Sequence, residues 1–206
     1  MYLPKQFEYP EYTRDLIREN PFADLISNDD EGFPFVTHLP IKLLENASDS
    51  KLDILLAHVA RGNPHARYLA QRPDVLLTFK GPQAYMSPKV YPDLVRVPTW
   101  SYVAVHVKAK VRLLEGEEAK DALLKQLIAD HEPAYADQWR SLPETYTSTM
   151  LNGIVAFEMK ILNSQAKIKL NQHRPESHQS MHALYASGTD AEKALAAWMV
   201  RLGMVK

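Results

Sequence analysis

The sequence predicts a mostly β protein, an antiparallel barrel or sheet with helical additions. Three observations carry this. About six strand-like runs follow one another in the first two thirds of the chain. Helical periodicity gathers towards the end. The glycine-rich first turn that a parallel nucleotide-binding fold needs is missing, for the chain has only seven glycines and neither GxGxxG nor GxxxxGK[ST].

Residues 1 to 9 read as an extended arm with Tyr2, Leu3 and Phe7 as apolar contacts and Pro4 and Pro10 as breakers. Glu11 to Asn20 is predicted helical, with Leu16 and Ile17 inward and Pro21 as its stop. Phe22 to Ser27 and Phe33 to Leu44 flank Asn28-Asp29-Asp30-Glu31-Gly32, residues that tolerate left-handed backbone, so a β-hairpin is expected. A third strand is expected at Leu52 to Val59 after a polar loop around Asn46 to Ser50. A short helix at Asn63 to Gln71, a fourth strand at Val75 to Phe79, a turn at Lys80-Gly81-Pro82 and a run at Gln83 to Ser87 complete the first half.

Trp100 to Leu114 is the longest strand candidate. From Val105 to Val111 it alternates, with Val105, Val107, Ala109 and Val111 on one face and His106, Lys108 and Lys110 on the other, so one face should be wet. Gly116 to Glu132 reads as a helix with an acidic start and a stripe of Leu123, Leu124, Leu127 and Ile128. A looser helical region follows to Met150, then a strand at Gly153 to Leu162. The last helix opens on Thr189-Asp190-Ala191-Glu192, a capping-box pattern, and places Leu195, Trp198, Met199 and Leu202 on one face.

Composition narrows the function. The 206 residues fit one domain, 1–206, with an arm and helix at 1–21 and a loop and helical extension at 165–206. Lys and Arg number 24 against 25 Asp and Glu, and no basic block of five occurs, which argues against direct DNA binding. No helix-turn-helix or basic recognition helix is visible. The absence of cysteine excludes disulfides, thiolate ligands and cysteine nucleophiles and fits a reducing cytoplasm. No apolar run is long enough to cross a bilayer, and the first residues lack a secretory leader's pattern, so a cytoplasmic location is expected.

Chemistry-bearing residues are sparse: there is no HExxH, no GxSxG and no spaced ligand set. The leading candidate is Arg61-Gly62-Asn63-Pro64, between a strand and a short helix. Amides at a helix start together with a guanidinium can hold a phosphate. The alternative is an ordinary helix start, with Asn63 as cap, Pro64 as first residue and Arg61 solvated. His38 and His58 fall in predicted barrel strands, where an imidazole needs a protein or ligand partner. Trp100 and Tyr102 share one side of a strand start, suited to a flat ring, a second subunit or plain packing. Lys167 to Arg174 is the most cationic short stretch, either an anion contact or a solvated loop. His178 and His182, four apart, would permit a metal on one helical face, against the reading of two exposed polar residues.

Several segments together, MYLPKQF at the start, THLP at 37 to 40, AHVARGNP at 57 to 64, FKGPQAYMSPKVY at 79 to 91, VPTWSYVAVHV at 97 to 107 and KIKLNQHR at 167 to 174, resemble the PaiB-type family of FMN-binding proteins. That family is often described as negative transcriptional regulators and belongs, with pyridoxine phosphate oxidases, to the flavin-binding split-barrel superfamily. The resemblance implies a Greek-key-like antiparallel split β-barrel with C-terminal helices, a homodimer, and FMN as cofactor at the subunit interface. It further implies that Arg61, Gly62 and Asn63 cradle the phosphate. Thr37, His38 and Leu39 would run beside the isoalloxazine with His58 next to them. Trp100, Ser101 and Tyr102 would come from the other subunit, and Lys169, Gln172 and Arg174 would close the pocket. The chain departs from the family pattern at Lys89, Val90, Ser101, Asn171 and His173. The functions implied are a flavin-dependent oxidoreductase or a redox or metabolite sensor. The alternatives are a negative transcriptional regulator and a haem protein with His38, His58 or His173 on iron.

Overall fold

The computed structural model describes residues 1–49, 53–93 and 95–205. Among the described residues seven strands form one sheet, β1 (Phe22–Asn28), β2 (Pro34–Pro40), β3 (Lys42–Leu44), β4 (Ile54–Ala60), β5 (Asp74–Met86), β6 (Thr99–Leu114) and β7 (Ile154–Lys169), in the order β2-β1-β5-β6-β7-β4-β3. The helices are α1 (Thr13–Glu19), α2 (His65–Gln71), α3 (Glu117–Ala129), α4 (Tyr135–Ser141), α5 (Glu144–Asn152), α6 (His178–Ala186) and α7 (Asp190–Arg201). None among the described residues is long and apolar enough to cross a membrane. The chain divides into two compact units, one of residues 20–79 and 106–164 and the other of residues 1–19, 80–105 and 165–206.

In the first unit, β1 and β2 form the expected hairpin, antiparallel from Phe22↔Pro40 to Asn28↔Pro34. Its turn is built as the sequence suggests: Asp29 Oδ1 accepts from the amides of Glu31 and Phe33, and Gly32 takes φ 87°, which a side chain would strain. Asp30 at the tip pairs with Arg67 and Arg72, holding α2 against the hairpin. The run expected as one strand from Phe33 to Leu44 breaks in two after Pro40. Pro40 has no amide to continue a ladder, Ile41 N–H donates instead to Pro21 O, and β3 pairs with β4 rather than β1. The third strand begins at Ile54; its expected start, Leu52, and Ser50 of the preceding loop lie outside the described residues.

The alternation read along β6 holds: Val105, Val107, Ala109 and Val111 are buried, while Lys108 and Lys110 are exposed and His106 is half-buried. On β4, Leu56 packs with Ala156 of β7 beneath Leu123 and Leu127 of α3, the stripe the sequence marked. Two strand ends differ from expectation. No turn forms at Lys80-Gly81-Pro82, because proline's φ and the bias of its preceding residue suit extended backbone, and β5 runs through to Met86. Similarly β7 continues past Leu162 to Lys169, so the cationic stretch begins as strand, at Lys167 to Lys169, and turns only from Leu170 onward.

In the second unit the amino-terminal arm is pinned on the end of β7. Tyr9 N–H donates to Ala166 O, Glu8 bridges Lys167, and Lys167 Nζ donates to Tyr2 O at 3.0 Å. Helix α7 has its capping box, Thr189 Oγ1 accepting from Glu192 N–H and Glu192 from the Thr189 amide, and it buries Leu195, Trp198 and Met199. Arg201 near its end lies over the Trp198 and Tyr12 rings and pairs with Glu19 and Asp15 of α1. Leu16 and Ile17 of α1 are fully buried, as read.

Candidate functional site

The first group of candidate residues belongs to the unit of residues 20–79 and 106–164. Where β4 turns into α2, the unpaired amides expected at residues 61 to 63 are mostly used by the protein. Arg61 N–H donates to Gly153 O at 2.8 Å and Asn63 N–H to Ala60 O at 2.9 Å. Asn63 Oδ1 accepts the His65 amide at 2.9 Å, so its side chain serves the start of the seven-residue helix, which begins at His65 with Pro64 at the N-cap position, one residue later than the ordinary reading had it. Arg61 Nε donates to Asn152 O at the end of α5, 2.5 Å away. Both Nη groups of Arg61 and the Gly62 amide have no partner among the described residues, and a Cβ on Gly62 would meet nothing. An anion here would therefore meet a guanidinium held in place by its Nε and one amide, not a ring of amides.

Asn63 continues into a network the sequence did not reveal. Its Nδ2 donates to Thr37 Oγ1 at 3.1 Å, Thr37 Oγ1 meets His65 Nδ1 at 2.8 Å, and His65 Nε2 meets Ser27 Oγ at 2.9 Å. Since Asn63 Nδ2 can only donate, the proton count closes with Thr37 O–H donating to Nδ1 and Nε2–H donating to Ser27, a neutral imidazole. His65 is 0% exposed, and burial pulls its pKa from the usual 6.5 to about 4. The Thr37 side chain is thus directed into the protein. Leu39, on the same side of β2, is core. His38 faces the other way: its Nδ1 sits 2.7 Å from Asp24 Oδ1, Thr78 Oγ1 donates to Asp24 Oδ2 at 2.7 Å, and the ring stacks on exposed Phe22.

His58 lies opposite Ala156 in the β4–β7 ladder, on the side of Leu56. It is half-buried, its Nδ1 is buried with no protein partner, and burial lowers its pKa, favouring the neutral ring. A buried ring nitrogen without a partner is costly unless something else supplies one.

The second group belongs to the other unit. Trp100 and Tyr102 share one side of β6, as read, with Trp100 54% exposed. Ser101 points oppositely and is buried; its Oγ accepts from Tyr185 O–H at 3.0 Å. Lys169 Nζ donates to Thr99 Oγ1 at 2.6 Å and to Trp100 O at 2.9 Å. Burial, and then neighbouring Lys167, push its pKa down. Tyr102 lies beneath both ammonium groups, 5.1 Å from Lys167 Nζ and 5.9 Å from Lys169 Nζ. Gln172 is held by its own backbone neighbours. Its Nε2 donates to Ile168 O and its Oε1 accepts the Leu170 amide, which closes the turn after β7.

That turn needs Asn171 at φ 66°, a conformation asparagine tolerates better than most residues. Asn171 accepts from Tyr91 O–H through Oδ1, donates to Ser177 Oγ through Nδ2, and presents its carbonyl to His178 Nε2 at 3.2 Å. His178 is consequently buried, not one of two exposed polar residues. Among the other departures from the family pattern, Val90 is core and Lys89 is exposed.

Thr99, Trp100, Lys169 and Arg174 line a cavity of about 770 Å³ in this unit, together with the arm residues Tyr2 and Phe7. Arg96 also lines it and was missed, because Val95-Arg96-Val97-Pro98 looks like linker and only the fold gathers it with the arm and the end of β7.

A family model described as "Putative FMN-binding domain" matches residues 1–163. The "Protease synthase and sporulation protein PAI 2" of Bacillus subtilis (strain 168) is 35% identical over 182 residues, 86% of this chain and 84% of that protein. Among solved structures, the flavocytochrome Anf3 of Azotobacter vinelandii superposes with TM-score 0.62 at 14% identity, covering 80% of this chain and 69% of that one. The FAD and heme binding protein of Mycobacterium smegmatis superposes with TM-score 0.55 at 18% identity, covering 79% and 72%. The fold is of the split-barrel class.

Proposed function

Since the chain belongs to the FMN-binding-domain family, we propose that it is a cytoplasmic homodimer that binds FMN noncovalently at its subunit interface and acts as an oxidoreductase or redox sensor. The observation that carries this reading is Arg61: Nε is fixed by Asn152 O, both Nη groups are open, and Gly62 leaves room beside them. A guanidinium aligned in this way gives a phosphate two parallel donors without reordering the side chain.

The residues present fit the group. Unpartnered His58 Nδ1, on β4 three residues before Arg61, offers a buried polar atom that a flavin's ring or ribityl chain would satisfy. Strand β2 ends the strand order, so amides and carbonyls on its outer side are available to the polar edge of a ring lying along Thr37, His38 and Leu39. The exposed Trp100 face of a second copy would cover that ring. When bound, FMN supplies the electron transfer, and the protein's part is to hold, orient and shield it. His38, with Nδ1 on Asp24 and its side chain 62% exposed, leaves Nε2 for a hydrogen bond to the ring's polar edge.

One observation favours a second reading, haem in the same place. Of the three candidate iron ligands, His38 is tied to Asp24 and His173 packs edge-on against Phe7, whereas His58 keeps a nitrogen without a partner. Absorbance of the purified protein separates the readings: bands near roughly 370 and 450 nm for flavin, or a Soret band for haem. Absence of flavin bands after incubation with FMN and gel filtration would refute the flavin reading.

A further inference from the structure

We propose that the cavity lined by Trp100, Arg96 and Lys169 binds a small planar carboxylate, an aromatic or heteroaromatic acid; this rests on the flavin reading only in making that acid the substrate class.

The charge distribution selects an anion. Lys169 Nζ is satisfied by two neutral oxygens, Thr99 Oγ1 and Trp100 O, and has another ammonium, Lys167, nearby. A half-buried cation in that setting is stabilised by an incoming negative charge, since it gains a charge-assisted partner and loses part of the repulsion. Arg96 contributes a second, independent pointer. Its Nη2 pairs with Asp93 at 2.9 Å and lies 3.8 Å from Glu176, while its Nε is buried and has no partner. Arg174 stands at the rim, 3.9 Å from the same Glu176. Three cations therefore face the cavity against two carboxylates, and one of them, Lys169, has neither carboxylate as its partner.

The walls select a flat molecule. Trp100 is half exposed on one side, Tyr91 lies under the Arg96 guanidinium at 5.1 Å, and Phe7 and Tyr2 come from the arm. Aromatic walls with a few convergent donors are the usual make-up of a small-molecule site, and about 770 Å³ lies within the range such sites occupy. A single ring with its carboxylate toward Lys169 would use both features.

Calorimetric titration of the full chain with sodium benzoate, before and after loading with FMN, tests this. Saturable binding of one benzoate per chain is expected in both states. Benzamidine, of the same shape and opposite charge, should bind at least tenfold more weakly. Lys169→Gln, which can still donate to Thr99 and Trp100 O, and the rim variant Arg174→Gln should each weaken benzoate, the former by about tenfold or more. Equal affinity for benzamidine, no effect of Lys169→Gln in a folded protein, or displacement of benzoate by FMN would overturn the proposal, the last because the cavity would then be the cofactor's seat. Benzoate binding without FMN binding would leave this inference standing and refute the flavin reading; FMN binding without benzoate binding would do the reverse.

Discussion

Arg61 Nε donates to the carbonyl oxygen of Asn152 at 2.5 Å, tying the strand-to-helix corner after β4 to the last turn of α5. Helix C-termini carry unpaired carbonyls and the negative end of the dipole, so a guanidinium there satisfies one and is oriented by the other. The contact uses Nε and leaves the two-pronged end of the side chain without a partner among the described residues.

Arg61→Ala should therefore weaken FMN by roughly tenfold to a hundredfold, the loss of a charge-assisted contact of about 1.5–3 kcal/mol. Riboflavin, lacking the phosphate, should bind almost as before. Quenching of flavin fluorescence measures both, and equal losses for the two ligands would show that Arg61 does not meet the phosphate.

The His65 network predicts an acid limb of stability. The imidazole titrates at about 4 in the folded protein and near 6.5 when unfolded, so between those values the unfolded chain binds more protons. Stability from this group is complete above pH 6.5 and is lost progressively as pH falls towards 4, by up to about 3 kcal/mol. Urea unfolding at pH 7.0, 5.5 and 4.5 checks it: the fall should shrink in His65→Gln, whose amide does not titrate.

Tyr185→Phe should destabilise by about 1–2 kcal/mol, because it removes the donor to Ser101 Oγ and leaves that buried hydroxyl without it. Chemical denaturation should show a lower midpoint with an unchanged slope, since no extra surface is exposed. A cost above about 4 kcal/mol would mean that packing, not the hydrogen bond, is lost.

Sedimentation equilibrium should give twice the 23.5 kDa mass of the chain. Dimerisation would also cover Phe22, Val36 and Trp100, which a lone subunit leaves exposed. A monomer at micromolar concentration would remove the shared cofactor site from the proposal.

Sequence was most informative where local chemistry decides the backbone. The Asp29 to Gly32 turn, the Thr189 capping box and the period of two along β6 all appear as read. It misled where tertiary pairing overrides a local signal. Gly81-Pro82 and Asn163-Ser164-Gln165 look like strand ends, yet both lie inside long strands, the latter just before residues paired with the amino-terminal arm. The split at Pro40 was the opposite case, a breaker inside an apolar run. Of the candidate residues, Arg61, Trp100 and Lys169 have exposed or cavity-facing groups, whereas Thr37, Leu39, Ser101 and Gln172 turn their side chains to the protein. Sequence patterns mark residue types, not which way a side chain faces once two distant segments meet. His65 and Arg96 escaped notice for the same reason: their partners Ser27 and Glu176 lie 38 and 80 positions away.

The bend at Asn171 leaves that position little freedom to drift. A replacement must accept a left-handed backbone, receive a phenol's hydrogen, and give one to a serine. Glycine meets only the first demand and serine does not reach both partners at once. Changes elsewhere on the cavity wall can alter which guest is preferred; a change here would shift Arg174 and Tyr91 together and remake the wall itself.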